Sequence, residues 1–219
     1  MVSKALNTQV KKSNPFWYKL KQNKMTLVGM AILLLIVLLS ILVPFLSPYD
    51  PNKVELVNKF QPPSASHWFG TDEVGRDIFT RIFYGAILSL GLGILIIFVA
   101  ALIGIIIGSI SGYIGGIVDT IIMRLVDMVL AFPSLILAMS LAAVLGPNIQ
   151  NAMLAIAIVK VPVYIRLARA EALSLKEKLF VKSAETFGIN KALIIMKHII
   201  PNAVSPVIIQ ATLDIGDTI

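Results

Sequence analysis

The stretch Ser174–Asn202, SLKEKLFVKSAETFGINKALIIMKHIIPN, decides how this chain is read, because it is polar and basic while the blocks on either side are strongly apolar. Ser174 with Glu177 three residues on has the pattern of a capping box, in which the serine oxygen takes a free amide of the first turn and the glutamate reaches back, so a helix is predicted to begin there. Phe187 precedes Gly188, where a left-handed residue closes a helix without a Cβ penalty. Asn190 then caps a second short helix that Pro201 is predicted to stop. Leu179, Phe180, Ala184 and Phe187 share roughly one face of the first helix. Such a face buries against something, and another protein is the expected partner.

Outward from this elbow, 57% hydrophobic and 14% charged residues with a mean hydropathy of +0.87 place the 219-residue chain far from soluble proteins. It reads as an all-α integral membrane protein. Met25 to Tyr49 is 25 residues without a charge, longer than the roughly 20 a helix needs to cross the hydrocarbon core. A cleaved signal core is shorter, about 7–15 residues, and ends in small residues rather than Pro44, Pro48 and Pro51. Six lysines and no acid precede Asp50, which puts the N-terminus in the cytoplasm by the positive-inside rule. The net charge of +7 therefore reports orientation. The basic residues are not interleaved with aromatics into a nucleic-acid-binding face. With no cysteine there are neither disulfides nor thiolate metal sites.

The organisation that follows is a cytoplasmic basic segment 1–24, a first span 25–49, an external loop 50–81, and a transmembrane region 82–219 carrying the cytoplasmic elbow 174–202. The loop, with Lys53, Lys59, Arg76 and Arg81 against Asp50, Glu55, Asp72, Glu73 and Asp77, is slightly acidic. Ile82 to Val118 is uncharged for 37 residues, predicting a returning helix plus a glycine-rich turn. Gly104, Gly108, Gly112 and Gly116 fall near one helix face, which suits close helix packing inside the subunit better than a dimer motif. A short inside segment with an Arg124–Asp127 pair should lead into a third span, Met128 to Leu145, bent at Pro133. Gly146, Pro147 and Asn148 form an outside turn, and Asn151 to about Leu167 a fourth span kinked at Pro162. Arg166 to Lys197 then carries seven Lys or Arg against three Glu, as an inside segment should. A fifth span starting near Ala203 would be short of a comfortable crossing at Ile219, so the sequence reads as truncated before the end of that span.

Catalytic signatures are missing. No G-x-x-x-x-G-K-[ST] loop is present, so any ATP is bound elsewhere, and neither H-E-x-x-H nor G-x-S-x-G occurs. His67 and His198 fall in predicted outside and inside segments and read as structural or exposed rather than metal ligands. The chain is not expected to be an enzyme or to hold a cofactor or metal.

The segment HWFGTDEVGRDIFTR, His67 to Arg81, resembles the loop after the first membrane helix in permease subunits of dipeptide, oligopeptide and nickel ABC importers. Further similarity follows in SGYIGGIVDTIIMRLVDMVLAFPSLILA from Ser111, YIRLARAEALSLKE from Tyr164, and the elbow's KHIIPN. The resemblance covers most of the chain from His67 on, and the N-terminal part fits the family's "C"-type subunit. It implies a type I importer bundle, with about five of an expected six spans here, in the cytoplasmic membrane. It also implies a second permease, two cytoplasmic ATPases that bind ATP and Mg, an external substrate-binding protein, and di- or oligopeptides as substrates. A nickel or metal-chelate importer is the alternative, and a non-transporting membrane anchor is the alternative of another class.

By the same resemblance Leu179, Phe180, Lys182, Ser183, Ala184, Glu185, Phe187 and Gly188 form the coupling helix that seats in an ATPase groove. The family's usual Glu-Ala-Ala is replaced by Lys182, Ser183 and Ala184, with Glu185 following, so acidic and basic ends are exchanged. Lys182 and Glu185 stand three apart, able to pair. Two readings stand for Asp72, Glu73, Arg76 and Asp77: contact with the binding protein, or a self-folded loop in which Arg76 pairs with a carboxylate. Asp214 and Asp217, in the predicted fifth span, are candidates for a polar pathway favouring a cationic substrate. The competing reading sets Asp217 near solvent.

Overall fold

The computed structural model describes residues 23–218. The basic segment 1–24 lies outside them except for its last two residues. Two compact units divide at Leu88 and Ser89. The first holds helix α1, Lys24–Leu46, capped by the Asn23 side chain and ended where Ser47 turns extended. Its 23 residues extend roughly 35 Å at 1.5 Å per residue, enough for a core of about 30 Å. Most of its leucines and isoleucines are exposed on all sides, an arrangement that suits lipid rather than water.

The rest of the first unit is the loop from Ser47 to Asp77 and the start of α2. One 3₁₀ turn, Leu56–Asn58, and an antiparallel bridge between Thr71 and Asp77 organise it. The Ser47 and Thr80 hydroxyls lie 2.6 Å apart and Arg81 Nη1 donates to the Pro51 carbonyl at 2.8 Å, closing the loop onto the helix ends.

Helix α2 is continuous over Ile78–Ile114, 37 residues or about 55 Å, well beyond one membrane thickness. The glycine-rich turn expected inside this run is confined to Gly115 and Gly116, at φ +71° and +61°, where an L side chain would be strained. Gly104, Gly108 and Gly112 stay helical and let α5, Ile149–Lys176, approach. A Cβ at these positions would strike Tyr164, the Ile165 carbonyl and the Arg169 carbonyl respectively. Their spacing serves packing inside the subunit.

Between them lie α3, Gly116–Leu130, and α4, Ser134–Leu145, meeting at 90°. The expected inside segment is thus itself helical. The bend falls where Pro133 excludes the preceding residue from the α region. The expected Arg124–Asp127 pair is replaced by pairs across helices: Asp127 accepts from Arg166 at 2.6 Å and Asp119 accepts two bonds from Arg169 at 2.5 and 2.6 Å. The turn before α5 is as expected, with Gly146 at φ +93° and Asn148 capping Gln150 N.

Helix α5 runs past the expected end near Leu167 to Lys176, and the capping box at Ser174 does not form. Its buried residues Tyr164, Ile165, Ala168, Ala172 and Leu175 recur turn after turn, so tertiary packing carries the helix through Ser174. Two further helices complete the second unit: α6, Leu179–Thr186, and α7, Lys191–Thr218. Pro201 does not stop α7. A π-helical turn over Ile195–Ile199 lets Ile200 N reach back five residues to the Ile195 carbonyl, Asn202 Nδ2 donates to the His198 carbonyl at 2.7 Å, and the helix continues through Pro201. The helix that carries the predicted fifth span thus begins already at Lys191, upstream of Ala203, and runs 28 residues to Thr218. Four described helices are long and apolar enough to cross a membrane, five if α3 and α4 count as one broken span. The fold is an all-α membrane bundle.

Candidate functional site

The elbow is α6 with the turn that follows it. Helix α6 opens at Lys178 without a side-chain cap and closes at Gly188, φ +72°. Gly188 N bonds to the Glu185 carbonyl and Ile189 N to the Ala184 carbonyl, a Schellman closure. The inner face is Val181 and Ala184, buried with Tyr113, Ala172, Leu175, Ile194, Ile195 and Ile199. The outer face is Leu179 and Phe187, 84% and 85% exposed, with Phe180 about half exposed. The single face expected from the sequence is thus two faces: Ala184 packs inward, while Leu179, Phe180 and Phe187 stay free. Asn190 caps the next turn through Ala192 N.

Lys182 does not pair with Glu185. Its ammonium donates to Glu177 Oε2 at 2.5 Å, and that bond with its charge holds the exposed Glu177 carboxyl below the usual range. Glu185 instead accepts the Tyr113 hydroxyl at 2.7 Å. Ser183 is exposed beside Lys182. Phe180 lies near the His198 ring, centroids 5.9 Å apart.

In the loop of the first unit, the self-folded reading describes three of the four candidate residues. Asp72 accepts the backbone N–H groups of Val74 and Arg76, both at 3.0 Å, and Arg76 Nε at 2.8 Å. Partial burial pushes its carboxyl up, but these donors outweigh it and bring the pKa to about 2. Asp77 is buried and accepts the Thr80 N–H and hydroxyl at 2.8 and 2.7 Å, with His67 Nδ1 3.0 Å away. Burial raises the Asp77 carboxyl, and the Thr80 and His67 bonds more than offset it, leaving it below the usual range. Gly70 and Gly75 take the left-handed turns. Glu73 is exposed and makes no hydrogen bond among the described residues. His67 is structural, stacked at 4.6 Å on Tyr49.

A third constellation joins α5 to α7 within the apolar spans. Tyr164, fully buried, donates its hydroxyl to Asp214 Oδ2 at 2.6 Å. Lys160 Nζ donates to Asp214 Oδ1 at 3.1 Å and to Asp217 Oδ2 at 2.7 Å.

The family described as binding-protein-dependent transport system inner membrane component matches residues 102–219, more than half of the chain. The chain belongs to this family. A second match, the N-terminal TM domain of oligopeptide transport permease C, covers residues 15–63 of the permease. The permease is 46% identical over 202 residues to a probable D,D-dipeptide transport system permease protein of Escherichia coli (strain K12), covering 92% of this chain and 68% of the other. It is also 46% identical over 201 residues to a dipeptide transport system permease protein of Alkalihalophilus pseudofirmus, covering 92% and 66%. A glutathione transport system permease protein of Escherichia coli O6:K15:H31 is 38% identical over 205 residues, covering 93% and 68%. The chain thus spans about two thirds of the length of these relatives. It is an ABC importer permease and a multi-pass inner membrane protein.

Sequence reasoning missed Lys160 and Arg169 as members of charge networks in this permease. A lysine inside the otherwise uncharged run Asn151–Tyr164 was itself the available signal, since an ionisable residue in a span needs a partner.

Proposed function

We propose that this permease forms, with a second permease, the translocation path of an ATP-driven importer of di- or oligopeptides, and that its elbow docks on a cytoplasmic ATPase subunit. The carrying observation is the elbow's two-sidedness. Val181 and Ala184 fix α6 to the ends of α2, α5 and α7, while Leu179 and Phe187 stand almost fully exposed. Apolar anchors on a rigid base fit a groove of another protein. The excess of Lys and Arg over acids from Arg166 to Lys197 supports a cytoplasmic elbow, where an ATPase binding ATP and Mg can grip it. Closure of that ATPase would move the elbow as a rigid body and tip the attached helices between inward-open and outward-open states.

The loop 50–81 lies outside in this orientation, and Glu73 is the acid free to meet a substrate-binding protein. The dipeptide relatives favour a peptide cargo.

The test is co-expression of the permease with a second permease, two ATPases and a binding protein of a dipeptide importer. Leu179→Asp with Phe187→Asp should abolish ATPase co-purification and dipeptide uptake. Undiminished co-purification would overturn the docking. Wild-type ATPase activity that a peptide-loaded binding protein fails to stimulate would identify an anchor rather than a transporter.

A further inference from the structure

A cavity of about 390 Å³ lies within the first unit, where the end of α1, the loop and the start of α2 meet. Leu39, Leu42, Val43 and Leu46 line it from α1, spaced as one helix face. Leu39 lies seven residues before Leu46, about 10 Å along the axis. The cavity therefore runs from the end of the span into the hydrocarbon of one leaflet, whose share of the core is about 15 Å. Ala65 and Trp68 of the loop and Phe79 of α2 complete the wall, with the Trp68 and Phe79 rings 4.9 Å apart.

Deep in the cavity the polar side chains are already paired. Asp77 and Thr80 reach the wall, but Asp77 is taken up by His67 and by the N–H and hydroxyl of Thr80, and the Thr80 oxygen by Ser47. Water finds few partners there. Asp77 is the one charged residue of the wall, so a peptide would leave both its charged ends unmatched. The level of the span's end differs. Tyr49 stacks on His67 and Trp68 meets Phe79 edge-on, and neither the Tyr49 hydroxyl nor the Trp68 indole N–H has a hydrogen-bond partner among the described residues.

Nor is the cavity sealed. Leu42, Leu46 and Trp68 are 42%, 76% and 63% exposed, so it opens toward what surrounds α1, which for a span is lipid. An apolar slot about 10 Å deep beneath a rim of amphipathic rings with two free donors is complementary to a phospholipid, the chain in the slot and the ester oxygens at the rim.

We propose that this cavity is a phospholipid site. It holds one acyl chain of the leaflet at the Ser47 end of α1 against Leu39, Leu42 and Phe79, and the Tyr49 hydroxyl and Trp68 indole donate to the glycerol ester oxygens. The inference needs only that α1 spans the membrane and stands apart from the importer reading. In α1 only Ser40 and Val43 are buried, so a chain in the slot supplies apolar contact between α1 and α2 that the protein itself leaves open.

The experiment reconstitutes the assembled transporter in vesicles of phosphatidylethanolamine and phosphatidylglycerol, a fraction of which carries a diazirine midway along one acyl chain. After illumination and digestion, adducts are mapped by mass spectrometry. They should concentrate on residues 39–49 and 65–80. Ala65→Phe, which puts a ring into the cavity, should lose them while keeping adducts on the lipid-exposed residues 33–36. Native mass spectrometry in mild detergent should count one phospholipid more per permease in the wild type than in Ala65→Phe. Adducts spread evenly along α1 in both proteins, or equal lipid counts, would overturn the site by reducing it to ordinary lipid contact. A wild-type cavity that captures no lipid would overturn it too, by showing that protein fills the space. If Ala65→Phe does not assemble, Ala65→Leu is read by the same two measurements.

Discussion

The Tyr113 hydroxyl donates to Glu185 Oε1 at 2.7 Å, joining residues 72 apart in sequence. Tyr113, at the end of α2, is buried in the cluster that seats α6, and the Lys176 ammonium stands 5.7 Å from its ring centre. Glu185 is thereby turned back onto the membrane helices. What the elbow offers outward is apolar, with Lys182 and Glu177 at its margin.

Tyr113→Phe removes this tether while leaving Val181 and Ala184 packed. A hydrogen bond to a charged acceptor contributes about 1.5–3 kcal/mol, so amide exchange over Leu179–Gly188 should accelerate by roughly tenfold or more, with no change in exchange around Lys160. Unaltered elbow exchange would show that packing alone holds α6.

Gly104→Ala places a methyl on Tyr164, whose Cβ and backbone already occupy that space. Forcing α2 and α5 apart should destabilise the permease by about 1–3 kcal/mol and lower its melting temperature in detergent. Gly85→Ala and Gly91→Ala, where an added methyl meets open space, should be neutral or slightly stabilising, since glycine weakens a helix interior by about 0.5–1 kcal/mol relative to alanine. Equal melting of all three variants would refute the close approach.

Acid should loosen the loop at Asp72. Its carboxyl is depressed from 3.8 to about 2, so the stabilisation it provides is complete above the unfolded value near 4 and is lost as pH falls through about 2. Exchange of the Val74 and Arg76 amides, extrapolated for intrinsic acid dependence, should therefore rise across that window. In Asp72→Asn the rise should be absent and both amides should exchange faster at neutral pH.

Arg169→Met leaves Asp119 with a charge answered only by the Ser111 hydroxyl, 2.6 Å away. The single substitution should destabilise the α3–α5 contact more than Arg169→Met combined with Asp119→Asn, with a coupling of about 1–3 kcal/mol in a double-mutant cycle. Additive losses would mean the bidentate pair contributes nothing beyond shape.

The parts of this architecture legible in the sequence are the local ones. Charge-free runs marked the spans, Gly188 and Asn190 marked the elbow's closing turn and the next cap, and Gly146–Asn148 marked a turn, because each is dictated by neighbours within four residues. Ser174 misled for the same reason: a sound local cap was overridden by Ala168, Ala172 and Leu175, whose burial continues α5. Arg169–Asp119 and Lys160–Asp214 were invisible because their members are 50 and 54 residues apart, brought together only by glycine-permitted approach of α2 to α5 and by packing of α7. The two faces of α6 could not be separated while Val181, the residue that defines the inner one, went unweighed.

The wide turn Ile195–Ile199 has an angular consequence. Each residue advances a helix by about 100°, and a turn closed over five residues instead of four inserts one such step. Ala203, Val207 and Asp214 are buried beyond that turn. Had α7 been wound regularly from Lys191, Asp214 would have swung about 100° around the axis, out of reach of Lys160 and Tyr164. One extra residue thus keys the azimuth of the deep carboxylates to the elbow, so that the two stay in phase across a continuous rod.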